Sequence, residues 1–351
     1  LIRLVALALL SYSRVLAIPT IEAKGSKFFT SDGDQFYIKG VAYQPKSVGT
    51  NNLVKGDQCK ADAQLIKALG ANVVRVYTVD PTLNHDDCMN AFADAGIYVL
   101  VDMTTPNFAI NRANPAWTLE LRNAFAQVVD GFQKYDNLLA FIAGNEVIND
   151  ASSSAAALYV KASIADMKAY RDLMQYRKIP IGYSAADVTS LRQNTQNYFD
   201  CGSSAVAAEF FSYNYYGWCN DSSFTKSGYD QLYNEANGFD VPIFLSETGC
   251  INDSRDFSDQ VAMLGRQMND RFSGNIIYEW SEESNGYGLV SYKGDTVSKM
   301  GDYTQLSSQW ATLTPAGVKE SAYNPSLTRR ACPSSKASVW EVKGDALPTL
   351  G

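Results

Sequence analysis

The chain has 351 residues, 46% hydrophobic and 12% aromatic, enough for one large barrel or two ordinary domains. A net charge of −7 offers no basic face of the kind that binding polyphosphate requires, so nucleic acid is not an expected partner. The single histidine, His85, cannot build the usual zinc site, no metal is expected, and no G-x-S-x-G nucleophile elbow occurs.

Residues 1–17 place Arg3 before an apolar core from Leu4 to Leu10, followed by Val15-Leu16-Ala17. This is the grammar of a signal peptide, and it implies export. No later stretch approaches ~18 consecutive apolar residues, so no transmembrane helix is expected. From Phe36 onward, strand-like runs occur at 36–43, 73–77, 98–102, 138–146, 180–184, 210–215, 242–247 and 275–280. Helix-like segments lie between them at 60–69, 86–95, 119–134, 155–176, 189–199, 229–237 and 257–271. This alternation implies a parallel sheet, and eight strands over such a length predict a (β/α)8 TIM barrel. The rival, an open doubly wound sheet, would carry a glycine-rich loop after the first strand, and Gly40-Val41-Ala42-Tyr43-Gln44-Pro45 is no such loop. The expected organisation is a catalytic domain over 18–330 and a C-terminal segment over 331–351, opening with Ala331-Cys332-Pro333. Six cysteines (59, 88, 201, 219, 250 and 332) in an exported chain predict three disulfides, whose connectivity spacing alone leaves open. Asn220 and Asn252 head N-x-S sequons and are candidate glycan sites.

Two runs carry the chemistry. Phe141-Ile142-Ala143-Gly144-Asn145-Glu146-Val147 and Pro242-Ile243-Phe244-Leu245-Ser246-Glu247-Thr248 each deliver a carboxylate at the end of an apolar strand, a place where a core strand would not bury one unpaired. In the barrel count these are the fourth and seventh strands, whose C-terminal ends meet at the active-site face. Paired carboxylates there are the working parts of a retaining glycosidase, one the acid and the other the nucleophile. Asn145 is placed to hydrogen-bond a sugar hydroxyl. Asp102, Tyr77, Tyr216, Tyr278 and Gln44, at or just past other strand ends, are expected to line the cleft, with Tyr278 the tyrosine best placed to reach Glu247. Glu279, Glu282 and Glu283 read as a solvated edge or as sugar-binding groups, and His85 as the start of a surface helix.

The segments FYIKGVAYQ, VRVYTVDPTLNHDDCM, VVDGFQKYDNLLAFIAGNEVIND, PIFLSETGC, YEWSEESNGYGLV and WEVKGDALP resemble the fungal β-1,3-glucanosyltransferases of glycoside hydrolase family 72. The likeness runs over nearly all of 28–347. It implies that Glu146 is the acid/base and Glu247 the nucleophile of a transglycosylase with β-1,3-glucan as donor and acceptor, which elongates cell-wall glucan without a cofactor. It also implies the pairings Cys59–Cys88, Cys201–Cys332 and Cys219–Cys250. By the same resemblance the enzyme is a monomer at the cell wall or outer membrane face, meeting the membrane only through a lipid anchor encoded beyond Gly351. Thr248 and Gly217 depart from the family pattern near the subsites. The alternatives are a hydrolytic endo-β-glucanase or mannanase on the same barrel, and a non-catalytic wall glycoprotein, whose expected mark would be loss of a carboxylate.

Overall fold

The computed structural model describes residues 18–45, 52–252, 254–342 and 346–350. The expected signal segment lies outside these, as does Asp253 of the second sequon. Eight parallel strands close into a barrel. An antiparallel sheet, β1 (Ile21–Lys24), β2 (Lys27–Thr30) and β3 (Gln35–Phe36), precedes it. The barrel strands follow in chain order: β4 (Ile38–Ala42), β5 (Val73–Val76), β6 (Tyr98–Asp102), β7 (Leu138–Asn145), β8 (Ile181–Ala186), β9 (Phe211–Asn214), β10 (Ile243–Thr248) and β11 (Phe272–Ile277). Both faces of these strands are covered, one by packed side chains in the interior and the other by helices. This is why they read as continuous apolar runs and not as alternation.

The helices are α1 (Gly56–Leu69), α2 (Asp86–Ala95), α3 (Leu119–Phe132), α4 (Ala157–Leu173), α5 (Arg192–Asp200), α6 (Tyr229–Glu235), α7 (Asp259–Leu264) and α8 (Gly301–Ala311). Thr118 caps α3, its side chain accepting from the Leu121 amide, and α1 ends at Gly70, whose φ of 95° only glycine adopts freely. Among the described residues no helix is long and apolar enough to cross a membrane.

The leading sheet, a later hairpin and the last helix escape the sequence reading. The leading sheet packs Ile21, Phe28 and Phe36 into the same apolar cluster as Leu100, Ile142 and Phe244 of the barrel interior, with the Phe28 ring 6.2 Å from that of Phe244. After β11, a hairpin of β12 (Val290–Lys293) and β13 (Thr296–Lys299) precedes α8. The eighth strand is displaced, occupying Phe272–Ile277 where 275–280 was expected. Gly274, an apparent breaker, lets that strand approach β4, because a Cβ there would stand 2.0 Å from the Ile38 carbonyl oxygen. The helix expected over 257–271 is confined to α7, since the chain turns extended at Gly265.

The three disulfides are Cys59–Cys88, Cys201–Cys332 and Cys219–Cys250. The second spans 131 positions, a loop whose closure is worth about 4–5 kcal/mol in the chain-entropy account. Around it the C-terminal segment is seated. Trp340 is buried against Tyr198, the Arg330 amide donates to Asp200 at 2.8 Å, and Arg329 stands 3.7 Å from Asp200 and 3.9 Å from Asp240. Burial, then the hydrogen bond shared with the Asp240 carboxyl, pushes Asp200 up to about 7. The folded chain therefore holds this proton more tightly than the unfolded one, whose carboxyl has the ordinary value of 3.8. Its stabilising contribution is complete below that value and is lost as pH rises through the folded one. Wild type is expected to lose thermal stability relative to Asp200→Asn as pH is raised across that window. A difference in melting temperature that stays constant with pH would refute the shared proton.

Candidate active site

The site is assembled from strand ends around a cation. Arg75, in the middle of β5, is fully buried, and its guanidinium forks onto Asp102, with Nε 3.1 Å from Oδ1 and Nη2 2.9 Å from Oδ2. It also donates to Glu247 Oε1 at 3.2 Å, to the Ser246 carbonyl at 3.1 Å and to Asn145 Oδ1 at 3.0 Å. Burial alone would disfavour the charge. The Asp102 carboxylate outweighs it, so the group is held more firmly protonated than an ordinary arginine.

Glu247 lies within β10, 9% exposed. Tyr77 donates its hydroxyl to Oε1 at 2.9 Å and Tyr216 to Oε2 at 3.0 Å. Burial lifts this carboxyl above the usual glutamate range. The Arg75 charge pulls it back, Glu146 adds a push upward, and the two phenols favour the ionised form. The phenols are themselves driven well above the ordinary tyrosine value, first by burial and then by the Glu247 charge, so they stay protonated as donors.

Glu146 stands one residue past β7 with a left-handed φ of 51°, a conformation that costs a side-chain-bearing residue roughly 1–2 kcal/mol. Its backbone is fixed on both sides. The amide donates to the Ser184 carbonyl at 2.8 Å, and its own carbonyl accepts from Arg112 at 2.7 Å. Asn214, the last residue of β9, donates from Nδ2 to Glu146 Oε1 at 2.9 Å and to Asn145 Oδ1 at 3.0 Å. The Asn214 carbonyl oxygen faces the hydroxyls of Ser184 and Ser246, each at 3.0 Å, which sets which end of the amide points at Glu146. Asn145 Oδ1 is thus occupied by Arg75 and Asn214, and its NH2 group is left for another partner.

Glu146, Glu247, Asn145, Asp102, Tyr77 and Tyr216 therefore meet in one hydrogen-bonded group. Tyr278 does not bond Glu247. Its ring packs at right angles to those of Tyr77 and Tyr287, with centroids 6.5 and 5.6 Å away, while Tyr287 in turn meets Tyr216 at 6.0 Å. The Tyr278–Glu279 peptide is cis. Glu279 is no solvated edge. It is fully buried, accepting from Gln44 at 3.3 Å and Asn285 at 2.8 Å, and Glu282 accepts from the Gly288 amide at 2.7 Å. His85 begins α2 as expected but is buried, its two ring nitrogens 2.9 Å from the carbonyls of Leu53 and Asp80. Asn220, next to Cys219, donates from its side-chain NH2 to the Asn252 carbonyl. Arg75, Asn214, Ser184, Ser246, Arg112 and Tyr287 were not singled out by the sequence reading.

This geometry stands beside clear relatives. The glucanosyltransferase model of glycoside hydrolase family 72 matches residues 11–314. A 1,3-beta-glucanosyltransferase, gel1, of Aspergillus fumigatus is 42% identical over 96% of this chain and 77% of its own length. The 1,3-beta-glucanosyltransferase GAS5 of Saccharomyces cerevisiae is 43% identical over 95% of this chain and 70% of its own length. Among solved structures, Saccharomyces cerevisiae Gas2p in complex with laminaritetraose and laminaripentaose superposes with a TM-score of 0.88 at 38% identity, covering 94% of this chain and 74% of that one. With its closed eight-stranded barrel and a family match over most of its length, the chain belongs to the glucanosyltransferases of glycoside hydrolase family 72.

Proposed function

We propose that this enzyme is a retaining β-1,3-glucanosyltransferase in which Glu247 is the nucleophile and Glu146 the acid/base. The observation that carries the reading is the contrast between the two carboxylates. Glu247 is gripped at both oxygens by Tyr77, Tyr216 and Arg75, all donors that favour its ionised form, as an attacking carboxylate requires. Glu146 receives a side-chain donor at Oε1 from Asn214, which leaves Oε2 as the oxygen to carry the transferable proton.

In the first step Glu146 protonates the glycosidic oxygen while Glu247 attacks the anomeric carbon. The departing piece leaves with the reducing end, and the rest of the donor stays as a glycosyl ester on Glu247. In the second step Glu146, now a base, takes the proton of the 3-hydroxyl at the non-reducing end of an acceptor glucan, whose oxygen displaces Glu247. Asn145 directs its free NH2 toward the sugar bound at the nucleophile. Hydrolysis differs only in that water takes the acceptor's place, so transfer depends on holding sugar well enough to compete with ~55 M water. The β-1,3-glucan substrate is supported by the names of the relatives and by the laminari-oligosaccharides bound to Gas2p. The fungal origin of these relatives and the signal-like pattern of residues 1–17 support a site of action at the cell surface.

Incubation with a reduced laminari-oligosaccharide tests the reading, with products separated by length. Products longer than the donor are expected. Only shorter ones would leave the hydrolytic endo-glucanase as the better description. The partners of Glu247 give a second expectation: Tyr77→Phe should lower kcat by roughly 10²-fold with little change in KM, as loss of a preorganised donor does, whereas Tyr278→Phe should stay within a few-fold of wild type. Equal effects of the two changes in steady-state kinetics would contradict the assignment.

A further inference from the structure

The Cys201–Cys332 bridge is chemically asymmetric. Cys201 is fully buried, and the ammonium of Lys161 on α4, itself 3% exposed, lies 3.2 Å from its sulfur while donating to the carbonyls of Tyr198 at 2.6 Å and Cys201 at 2.8 Å. Cys332, on the C-terminal segment, is only half buried. Cys59 and Cys88 are both buried, and a carbonyl oxygen lies near a sulfur of each remaining bridge, Tyr198 at 3.3 Å from Cys201 and Tyr216 at 3.5 Å from Cys219, so it is the Lys161 ammonium that sets the Cys201 sulfur apart.

We propose that Cys332 is a thiol-exchange site, at which a low-molecular-weight thiol attacks the accessible sulfur and expels Cys201 as a thiolate stabilised by Lys161. The attacking thiolate forms a new S–S bond to Cys332 as the Cys201–Cys332 bond breaks, and the electron pair of the broken bond leaves on Cys201. One disulfide is exchanged for another, so no separate oxidant or reductant is consumed. The direction follows from two general rules: exchange is faster when the leaving thiol has the lower pKa, and a neighbouring cation lowers it. Only the covalent tether is lost at that moment, because Trp340, the Arg330 amide and the bond from the Glu341 amide to Ser154 Oγ at 2.8 Å still hold the segment. Re-attack by Cys201 then restores the bridge and releases the thiol.

Exposure of the folded, oxidised protein to glutathione, followed by acid quench, alkylation of free thiols and peptide mapping, reads the site directly. The expected result is glutathione on Cys332 with Cys201 alkylated. Lys161→Met should slow exchange at this bridge about tenfold while leaving the Cys219–Cys250 rate in the same sample unchanged, and Lys161→Arg should retain the wild-type rate. Glutathione on Cys201, no adduct on Cys332, or no slowing in a folded Lys161→Met protein would each overturn the proposal. If Lys161→Met does not fold, the position of the wild-type adduct decides between the two sulfurs by itself.

Discussion

Glu247→Gln is expected to abolish both transfer and hydrolysis on β-1,3-glucan while the fold survives. The amide has the shape of the carboxylate but a single acceptor oxygen, so it can accept from only one of Tyr77 and Tyr216, and it cannot form the glycosyl ester. Activity measured as reducing ends released, together with product length, should fall below detection, and substantial turnover would overturn the assignment of the nucleophile. Glu146→Gln should also fail on glucan but regain its first step on an activated donor whose leaving group departs without a proton. In wild type the acid limb of kcat/KM against pH should lie above the ordinary glutamate range. The nucleophile must be ionised, and burial holds its carboxyl up despite Arg75.

Arg75→Met should damage both stability and catalysis, by separable routes. The guanidinium is fully buried and Asp102 is 1% exposed, so removing the cation strands a buried carboxylate. Breaking such a pair costs about 3–5 kcal/mol. Without that positive charge the Glu247 carboxyl rises further, which disfavours the ionised nucleophile, so turnover should fall as well. Arg75→Met combined with Asp102→Leu should recover much of the stability, since the stranded charge is gone, yet remain inactive. Urea unfolding and laminarin turnover of the single and double variants check both parts. A double variant with wild-type activity would mean that Arg75 serves only Asp102.

The barrel was legible because its strands are short, apolar and separated by amphipathic segments, and the two carboxylates because each interrupts such a strand. The same signal lay unread in Val-Val-Arg-Val-Tyr at 73–77, where a cation sits mid-strand. Positions 73, 75 and 77 share one face by strand alternation, and that face is the interior. Tyr77 therefore follows Arg75 into the site and reaches Glu247 from across the barrel. The expectation for Tyr278 came from its strand neighbouring the seventh, but in a closed barrel the inward layer a residue occupies matters more than which strand adjoins it. Asn214, Ser184 and Ser246 carry no local signature, since small polar residues in a strand look alike until closure brings three strands together. The N-terminal sheet was missed because its apolar residues are few and belong to a cluster completed only by the barrel.

The bridge between Cys219 and Cys250 closes a ring of 31 positions that contains α6 and β10. Tyr216 lies three residues before one cysteine and Glu247 three residues before the other. Should α6 open under mild heat, the phenol and the carboxylate remain tethered at an effective concentration on the order of millimolar. They need not search the whole unfolded chain for each other, and re-forming their contact becomes a local event. Thermal inactivation that stops short of global unfolding should therefore reverse on cooling for as long as this ring stays closed.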